Sequence, residues 1–334
     1  MTQQNHINRS CLGPRLALTL GVALGLGPSG QLLAQQLVTG GSSAPDAPVE
    51  LKVKWPVGQR YLQRLVTSQD QDISAASLPQ PVKQHIVQSQ DVALTVTKEL
   101  ENGGREVDLA FTATKMEITM GGQTIMSFDS KSDPANDSDN RFAPVFRKLG
   151  EMRFKLFTNR KGAVEKVEGF KEFADKLSSD APPELQGMLQ AMLSEDNIKH
   201  MGAIPEGLPD KPVKIGERWP FKQEISLGPV GKFIITLQIT FKGWEDRDQR
   251  HCAVLDHIGT IASPPGGGGS QMAMSISGGD TKGRTLFDPQ LGMPVESTAE
   301  QKISMKVSAM GQDVSIQMQI MSTNRLVEVT KIAK

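Results

Sequence analysis

The side chains that most often carry out chemistry are sparse in this chain of 334 residues, and their spacing matches no common catalytic motif. Five His and two Cys residues are present, but no His-Glu-x-x-His, Gly-x-Ser-x-Gly or paired-Cys motif positions a metal ion or a nucleophile. His251 and His257, on one predicted strand, stand roughly 20 Å apart at about 3.3 Å per residue, too far for a shared metal ion. We therefore expect no enzymatic activity, no cofactor and no metal site. A hydrolase whose Asp or Glu side chains converge from distant segments is the remote alternative.

An Asp- and Asn-rich segment from Asp129 to Asn140 and the thiol of Cys252 are the remaining candidates for chemistry. The segment offers the oxygen ligands that calcium prefers, but it lacks the Gly and Glu positions of a helix-loop-helix calcium site. We interpret it as a solvated loop with side-chain-to-backbone hydrogen bonds. Cys252 lies in an alternating, strand-like segment, and free Cys is among the most buried residue types. We therefore expect a packed, inert thiol.

The first 34 residues have the pattern of a secretory signal peptide. Arg9 and Arg15 accompany the start of an apolar run from Leu16 to Gly27, and Ala34 supplies a small residue for cleavage. As a helix the run covers roughly 18 Å, short of the roughly 30 Å of a bilayer core. We predict an exported chain, periplasmic or extracellular, with no transmembrane span after cleavage. A retained N-terminal anchor is the alternative.

The charge balance excludes one class of partner, and the composition suggests the domain boundaries. Lys+Arg and Asp+Glu are equal at 37 each, which does not suit a polycationic nucleic-acid binder. Residues 35–50 are rich in Gly, Ser, Pro and Ala and are predicted to form a flexible linker. The β-rich domain is predicted to span residues 51–334, with a degenerate repeat of halves 51–201 and 212–334. The repeat is suggested by two segments with the same order of residue types, Gly58-Gln59-Arg60-Tyr61 and Gly216-Glu217-Arg218-Trp219.

Alternation of apolar and polar residues dominates the chain after the linker. Between Phe233 and Phe241 every second residue is apolar, and Thr, Gln and Lys fill most of the other positions. Such one-sided strands are typical of antiparallel sheets with one wet face. Between Phe111 and Met116 the apolar parity changes from odd to even, which predicts a bulge or break near residues 113–115. The same alternation recurs at Val92–Val96, Val107–Phe111, Met116–Met120, Met272–Ile276, Ile303–Val307 and Val314–Ile320.

Turns and helices complete the predicted fold. Gly-containing turns at 102–104, 121–122, 159–162 and 310–313 predict consecutive hairpins. Helical spacing of apolar residues within 170–177 and 185–193 predicts two short helices. The fold class is therefore α+β and mostly antiparallel: a long twisted sheet or an open half-barrel, with the two helices packed on its concave side.

Three segments carry a resemblance to a known family: Phe154–Phe170, Leu208–Trp219 and Gly283–Gly292. Together they resemble the secreted bacterial family catalogued as domain of unknown function 6263 (DUF6263), over most of residues 51–332. The resemblance implies an exported domain, and the family has no assigned activity and no catalytic residues to transfer. More distantly, the predicted sheet resembles the open half-barrel of periplasmic lipoprotein carriers, a similarity of architecture alone.

Methionine is unusually frequent on the apolar faces of the predicted strands. A flexible, polarizable Met-rich face adapts to irregular apolar shapes such as acyl chains. We therefore predict a non-catalytic envelope protein that binds an apolar small molecule, a lipid or an envelope protein in a Met-rich groove. The alternative is a structural or protein-interaction module in which these residues fill the core. The predicted ligand-binding residues are Met116, Ile118, Met120, Met272, Met274, Met305 and Met318.

Overall fold

The computed structural model describes residues 47–76, 78–137, 143–180, 195–199, 207–226, 232–264, 272–309 and 312–332. Most of these residues belong to strands of one antiparallel sheet, which confirms the predicted fold class. The strands are β1 Gln59–Ala75, β2 Val82–Glu99, β3 Arg105–Met120, β4 Gln123–Asp129, β5 Arg153–Thr158, β6 Val164–Glu168, β7 Arg218–Ser226, β8 Lys232–Arg247, β9 Arg250–Ala262, β10 Met272–Asp288, β11 Met293–Ala309 and β12 Gln312–Lys331.

The strand order across the sheet is β6-β5-β3-β2-β1-β12-β11-β10-β9-β8-β7, and β4 pairs with β3 beside this path. The first half of the chain starts at the centre and runs outward, whereas the second half starts at the opposite edge and returns. β1 and β12 therefore meet in the middle, where they pair from Gln59 with Lys331 to Ala75 with Val314. Among the described strands, β6 and β7 form edges that do not pair with each other, so the sheet is open.

The two faces of the sheet differ in burial, because successive side chains of a strand point to opposite sides. On β1, Tyr61, Leu65 and Ile73 are buried whereas Asp70 and Asp72 are exposed. We call the buried side the inner face and the other side the outer face. This difference is the one-sided alternation predicted from the sequence.

The predicted change of parity in β3 is confirmed as a bulge. Asp91 pairs with Ala113 and Val92 pairs with Phe111, so Thr112 is the extra residue, one position before the predicted range. The bulge keeps both halves of β3 on the inner face. The next turn is the predicted glycine pair: Gly121 and Gly122 have φ of 57° and 83°, the left-handed values that a tight two-residue hairpin requires. The predicted turns at 102–104 and 159–162 also join consecutive antiparallel strands.

Three short α-helices lie within the described ranges: α1 Ala143–Gly150, α2 Phe170–Asp180 and α3 Glu195–Lys199. The helix predicted from Phe170 is confirmed as α2, and the rings of Phe170 and Phe173 lie 5.7 and 5.8 Å from that of Phe154 on β5. The second predicted helix, 185–193, lies outside the described residues. The sequence pattern missed α1, which packs against β3. None of the helices in these ranges has the length and apolar character needed to cross a bilayer.

A segment that we call the strap, residues 47–56, leads into β1. Its side chains Leu51 and Trp55 are 1% and 3% exposed, and they belong to the apolar clusters of the second and first halves of the sheet, respectively. The indole N–H of Trp55 donates a hydrogen bond to the sulfur of Met293 at 2.8 Å. The strap therefore links the two halves of the core.

The predicted boundary between the linker and the β-rich domain, after residue 50, lies within the strap. Residues 1–34 and 35–46, the predicted signal peptide and most of the predicted linker, lie outside the described residues. Val49, near the predicted end of the linker, exchanges two backbone hydrogen bonds of 2.9 Å with Val213. Val49 and Val213 thus tie the segment that precedes the first predicted half-repeat to the start of the second. The repeat itself stays a prediction.

Candidate functional site

The predicted ligand-binding residues of β3 lie in a packed cluster. Met116 and Ile118 are 4% and 6% exposed and contact Phe128 of β4 and Phe146 of α1. The rings of Phe128 and Phe146 are 5.5 Å apart. Met120, at the end of β3, is partly exposed. The two buried residues therefore act as core beneath α1, whereas Met120 is only partly buried.

The predicted residues of β10, β11 and β12 lie on the other side of the sheet centre. Met305 is 7% exposed within the second-half cluster, and Met318 is partly buried against the same cluster. The sulfur of Met318 accepts a hydrogen bond of 2.9 Å from the amide nitrogen of Gln69. Met272 and Met274 belong to β10, where Met274 pairs with Val307, but their side chains lie outside the described part of the structure.

The structure brings the predicted residues whose side chains are described to one face but does not bring them together. The register places Met120, Gln84, Gln71, Met318 and Ile303 in one row across β3, β2, β1, β12 and β11. Neighbouring strands are about 4.8 Å apart, so two strands of polar residues and roughly 14 Å separate Met120 from Met318. The predicted Met-rich face is therefore divided by a polar strip.

The polar strip contains four amide side chains on two adjacent strands, which we call the glutamine patch: Gln69, Gln71, Gln84 and Gln88. The first three are 1%, 2% and 3% exposed. Gln71 and Gln84 are direct cross-strand neighbours, as are Gln88 and Thr67. Five buried atoms of the patch have no hydrogen-bond partner in the part of the chain that the structure describes: the Oε1 atoms of all four residues and Nε2 of Gln71.

Unpaired buried amides are costly. Each buried donor or acceptor without a partner costs about 1–3 kcal/mol relative to the hydrated group, and most such groups in folded proteins are paired or have a functional role. Side-chain oxygen and nitrogen of Gln can exchange places by rotation, yet either orientation leaves both donor and acceptor capacity in the patch. The patch is therefore a site at which a bound molecule has hydrogen bonds to gain.

Several other polar groups on the inner face are paired. The amide nitrogen of Asn324 donates to Oε1 of Gln63 at 2.7 Å, and the hydroxyl of Thr285 donates to that of Ser297 at 3.1 Å. His257 is 4% exposed. Its ring fits beside Gly283, where an added Cβ would lie 2.6 Å from the ring.

Sequence reasoning missed the glutamine patch, although a signal was present. Gln63, Gln69 and Gln71 share the odd parity of Leu65 and Ile73 on β1. In an alternating strand, the positions that face the core are expected to be apolar, so a polar residue at such a position is an exception that can be seen in the sequence. The pairing of β1 with β2 was the further information needed to join these residues to Gln84 and Gln88.

A groove of about 1100 Å³ crosses seven strands behind the same row, because its lining includes Gln71, Gln84, Ile303 and Met318 together with the outer-face residues on either side of them. On most of these strands, three consecutive residues line the groove. The middle residue is the buried one, and the more exposed residues before and after it form the two walls, so the groove opens on the outer face. Within it, a ring nitrogen of His85 lies 2.8 Å from a carboxylate oxygen of Asp70. The polar walls are formed by Asp70, Asp72, Lys83, His85, Thr119, Thr260, Asp280, Lys302, Ser304, Gln317 and Gln319.

The buried carboxylates are engaged by arginines. Asp91 is 6% exposed and accepts two hydrogen bonds of 2.7 and 2.8 Å from Arg64; the hydrogen bonds from Arg64 lower the pKa of Asp91. Asp288 is 4% exposed and accepts a hydrogen bond of 3.0 Å from Arg250. Both carboxylates therefore stabilise the fold. No group of three or more His, Cys, Asp or Glu side chains among the described residues is arranged to hold a metal ion.

Cys252 is a packed thiol as predicted, and the described part of the acidic segment, residues 129–137, has the predicted side-chain-to-backbone hydrogen bonds. In the acidic loop, carboxylate oxygens of Asp129 and Asp133 accept backbone N–H bonds of 2.9 Å from residues two positions later. Asp137 pairs with Arg147. Cys252 is 0% exposed, and burial raises the pKa of its thiol to about 11.

Comparison with solved structures gives distant likenesses. A structure described as lipid–protein interactions in lipovitellin matches with a TM-score of 0.46 and 10% identity over 84% of this chain and 26% of that chain. This chain thus spans about a quarter of the lipovitellin chain. A protein from Bacteroides fragilis described as exported, with a YMCC-like fold, matches with a TM-score of 0.26 and 9% identity over 85% of this chain and 100% of that chain.

A domain from Vibrio parahaemolyticus described as an outer membrane lipoprotein-sorting protein domain matches with a TM-score of 0.13 and 6% identity over 80% of this chain and 85% of that chain. Likenesses at these TM-scores carry no argument about function. No curated protein matches the chain. A family of unknown function, DUF6263, matches residues 102–294, which is more than half of the sequence. The chain belongs to the DUF6263 family.

Proposed function

We propose that this chain is a non-catalytic exported protein of the cell envelope that binds an apolar ligand on the inner face of its open sheet. The observation that carries the proposal is the glutamine patch, whose buried amide atoms lack partners among the described residues. A folded chain on its own gains nothing from such atoms, whereas a bound molecule that pairs with them offsets their desolvation.

The surroundings of the glutamine patch suit an apolar molecule. Next to the patch, Met318 and Ile303 continue its row toward β11, and Met318 contacts Gln69 directly. Thioether and branched aliphatic side chains adapt to an alkyl chain. The ligand is therefore expected to lie along β1, β12 and β11, with its apolar part on Met318 and Ile303.

Two buried carboxylates and the buried thiol support a non-catalytic role. Asp91 and Asp288 are paired with Arg64 and Arg250, and burial raises the pKa of Cys252, which disfavours the reactive thiolate. The inner-face residues that surround the glutamine patch are amides, hydroxyls and apolar side chains. These groups bind and orient a molecule but do not exchange protons near neutral pH.

Organic extraction of the purified protein followed by mass spectrometry, and titration with the apolar fluorophore N-phenyl-1-naphthylamine, test the proposal. Saturable binding is expected. Met318→Gln is expected to weaken binding of the fluorophore several-fold, because a polar amide replaces the thioether on the inner face. The matched control is Met321→Gln, the same change on the outer face of β12, which should leave binding unaltered. No extracted ligand together with no saturable fluorescence would overturn the proposal.

A structural or protein-interaction module is the second candidate, and one observation favours it. Met116 and Ile118 are filled core beneath α1, and the groove of about 1100 Å³ lies on the polar outer face instead. A photo-crosslinking amino acid at position 319 in the groove, compared with position 238 on the outer face of β8, tests this candidate. Stoichiometric crosslinking of one protein from position 319 alone would support it.

A further inference from the structure

We infer that the bound molecule is an uncharged amphiphile, with a hydroxyl- or amide-bearing head on the glutamine patch and an alkyl chain on the neighbouring Met318 and Ile303. The inference rests on the proposed function and deepens it by naming the class of ligand. Neutral lipids such as acylglycerols or fatty amides are expected to bind, and fatty acids and phospholipids are not.

The hydrogen-bonding capacity of the glutamine patch indicates what the head must offer. Four of its five buried atoms without described partners are amide oxygens, and one is an amide nitrogen. Because the oxygen and nitrogen of each amide can exchange places by rotation, the patch offers both donors and acceptors, which suits a head that carries O–H or N–H groups together with an acceptor oxygen. Gln71 and Gln84, directly opposite each other on β1 and β2, have Cβ atoms about 4.5–5.5 Å apart. A glycerol or primary amide head spans such a pair.

The charge of the surroundings indicates what the head must not carry. The described inner-facing residues of β1 from Tyr61 to Ile73, of β2 from Gln84 to Val96 and of β12 from Val314 to Leu326 are all uncharged. The charged side chains of these strands, such as Asp70, Lys83 and Arg325, belong to the opposite parity. A carboxylate or phosphate in this strip would be buried without a cation to compensate its charge.

The position of the apolar residues indicates the direction of the alkyl chain. Gln71 is followed across the sheet by Met318 on β12 and Ile303 on β11. Two strand spacings of about 4.8 Å place β11 about 10 Å from β1 across the sheet. On the opposite side, the row continues through Gln84 to Met120 at the end of β3. The chain therefore is expected to run toward β11, and the head to remain over β1 and β2.

Displacement of N-phenyl-1-naphthylamine from the purified protein at pH 8 tests the inference with three probes of equal chain length: 1-monododecanoylglycerol, dodecanamide and dodecanoate. At this pH the carboxylic acid is ionised. The two neutral probes are expected to displace the fluorophore at concentrations about tenfold or more below that of dodecanoate, which corresponds to one or two hydrogen bonds between neutral groups. Equal or better displacement by dodecanoate would refute the inference while leaving the proposed function intact.

Variants locate the head. In the Gln71→Leu, Gln84→Leu double variant, both neutral probes are expected to bind about tenfold or more weakly than to the unmodified protein, because the amides that pair with the head are removed at nearly constant side-chain volume. Gln238→Leu, the same change on the exposed outer face of β8, is the matched control and should keep the full affinity. If the fluorophore does not bind the unmodified protein, the proposed function itself is wrong. If the double variant binds the neutral probes as tightly as the unmodified protein, the glutamine patch does not hold the head.

Discussion

Gln71→Leu is expected to stabilise the ligand-free protein, although it removes a native side chain from the interior. Gln71 is 2% exposed, and neither atom of its amide has a partner in the described ranges. Removing an unpaired buried amide recovers its desolvation cost, about 1–3 kcal/mol for each polar group. Leu has nearly the same volume, so the change leaves no large cavity. We expect a net gain of about 1–3 kcal/mol in the free energy of unfolding.

Gln63→Leu is the matched control, because it is the same substitution on the same strand and the same face. Gln63 is also 2% exposed, but its Oε1 accepts a hydrogen bond of 2.7 Å from Asn324. Loss of that bond leaves a buried amide donor of Asn324 without this acceptor, which costs about 1–3 kcal/mol. The two substitutions are therefore expected to change stability in opposite directions.

Urea unfolding followed by tryptophan fluorescence measures both effects. The protein must first be freed of lipid, because any ligand that binds the folded state raises the apparent stability. With a denaturant slope of about 3 kcal/mol/M, a change of 2 kcal/mol moves the midpoint by about 0.7 M. A loss of stability in Gln71→Leu equal to that in Gln63→Leu would mean that Gln71 is paired in the folded chain. The glutamine patch would then no longer indicate a ligand.

Three further substitutions or modifications test the packing around the candidate site. Trp55→Ala, which empties a position that is 3% exposed, is expected to cost about 3–5 kcal/mol in urea unfolding. Gly283→Ala is expected to lower the free energy of unfolding by at least about 1–3 kcal/mol, because the new Cβ would lie 2.2 Å from a backbone oxygen. Gly278→Ala on the same strand is the control. Its Cβ meets no described atom within 4 Å, so it should change the free energy of unfolding by less than about 1 kcal/mol. Cys252, whose thiol pKa is raised to about 11 by burial, should resist a thiol-specific disulfide reagent at pH 8 and react after unfolding in urea; rapid labelling of the native protein would contradict its packing.

The strands were predictable because their signal is local. Period-two alternation between Phe233 and Phe241 needs only neighbouring residues to be recognised, and it corresponds to β8, Lys232–Arg247. The bulge in β3 was predictable for the same reason, since a change of parity within one strand is visible without its partner. In contrast, α1 has only eight residues, about two turns. This is shorter than the window of about 11–18 residues over which helical periodicity is recognised in a sequence.

The candidate site was not predictable from local patterns, because it depends on which strands are neighbours. β1 and β12 pair between residues as distant as Gln59 and Lys331, and no local pattern specifies that pairing. It places the thioether of Met318 beside Gln69. The predicted methionines were chosen by parity alone, and parity assigns a face but not a position across the sheet. The strap was also missed, since Leu51 and Trp55 lie outside any regular element.

The division of the inner face explains why a fold would retain amides that weaken it. A face made only of Met, Ile and Phe would be more stable, but it would close on itself as a core, as Met116 and Ile118 do beneath α1. A strip of uncharged polar residues between two apolar clusters resists that closure, because covering the amides with apolar side chains leaves their hydrogen bonds unmade. The cost in stability is thus coupled to binding: a molecule that satisfies the glutamine patch recovers free energy that the empty protein cannot. The same substitution that stabilises the ligand-free chain, Gln71→Leu, is therefore expected to weaken binding of a neutral amphiphile.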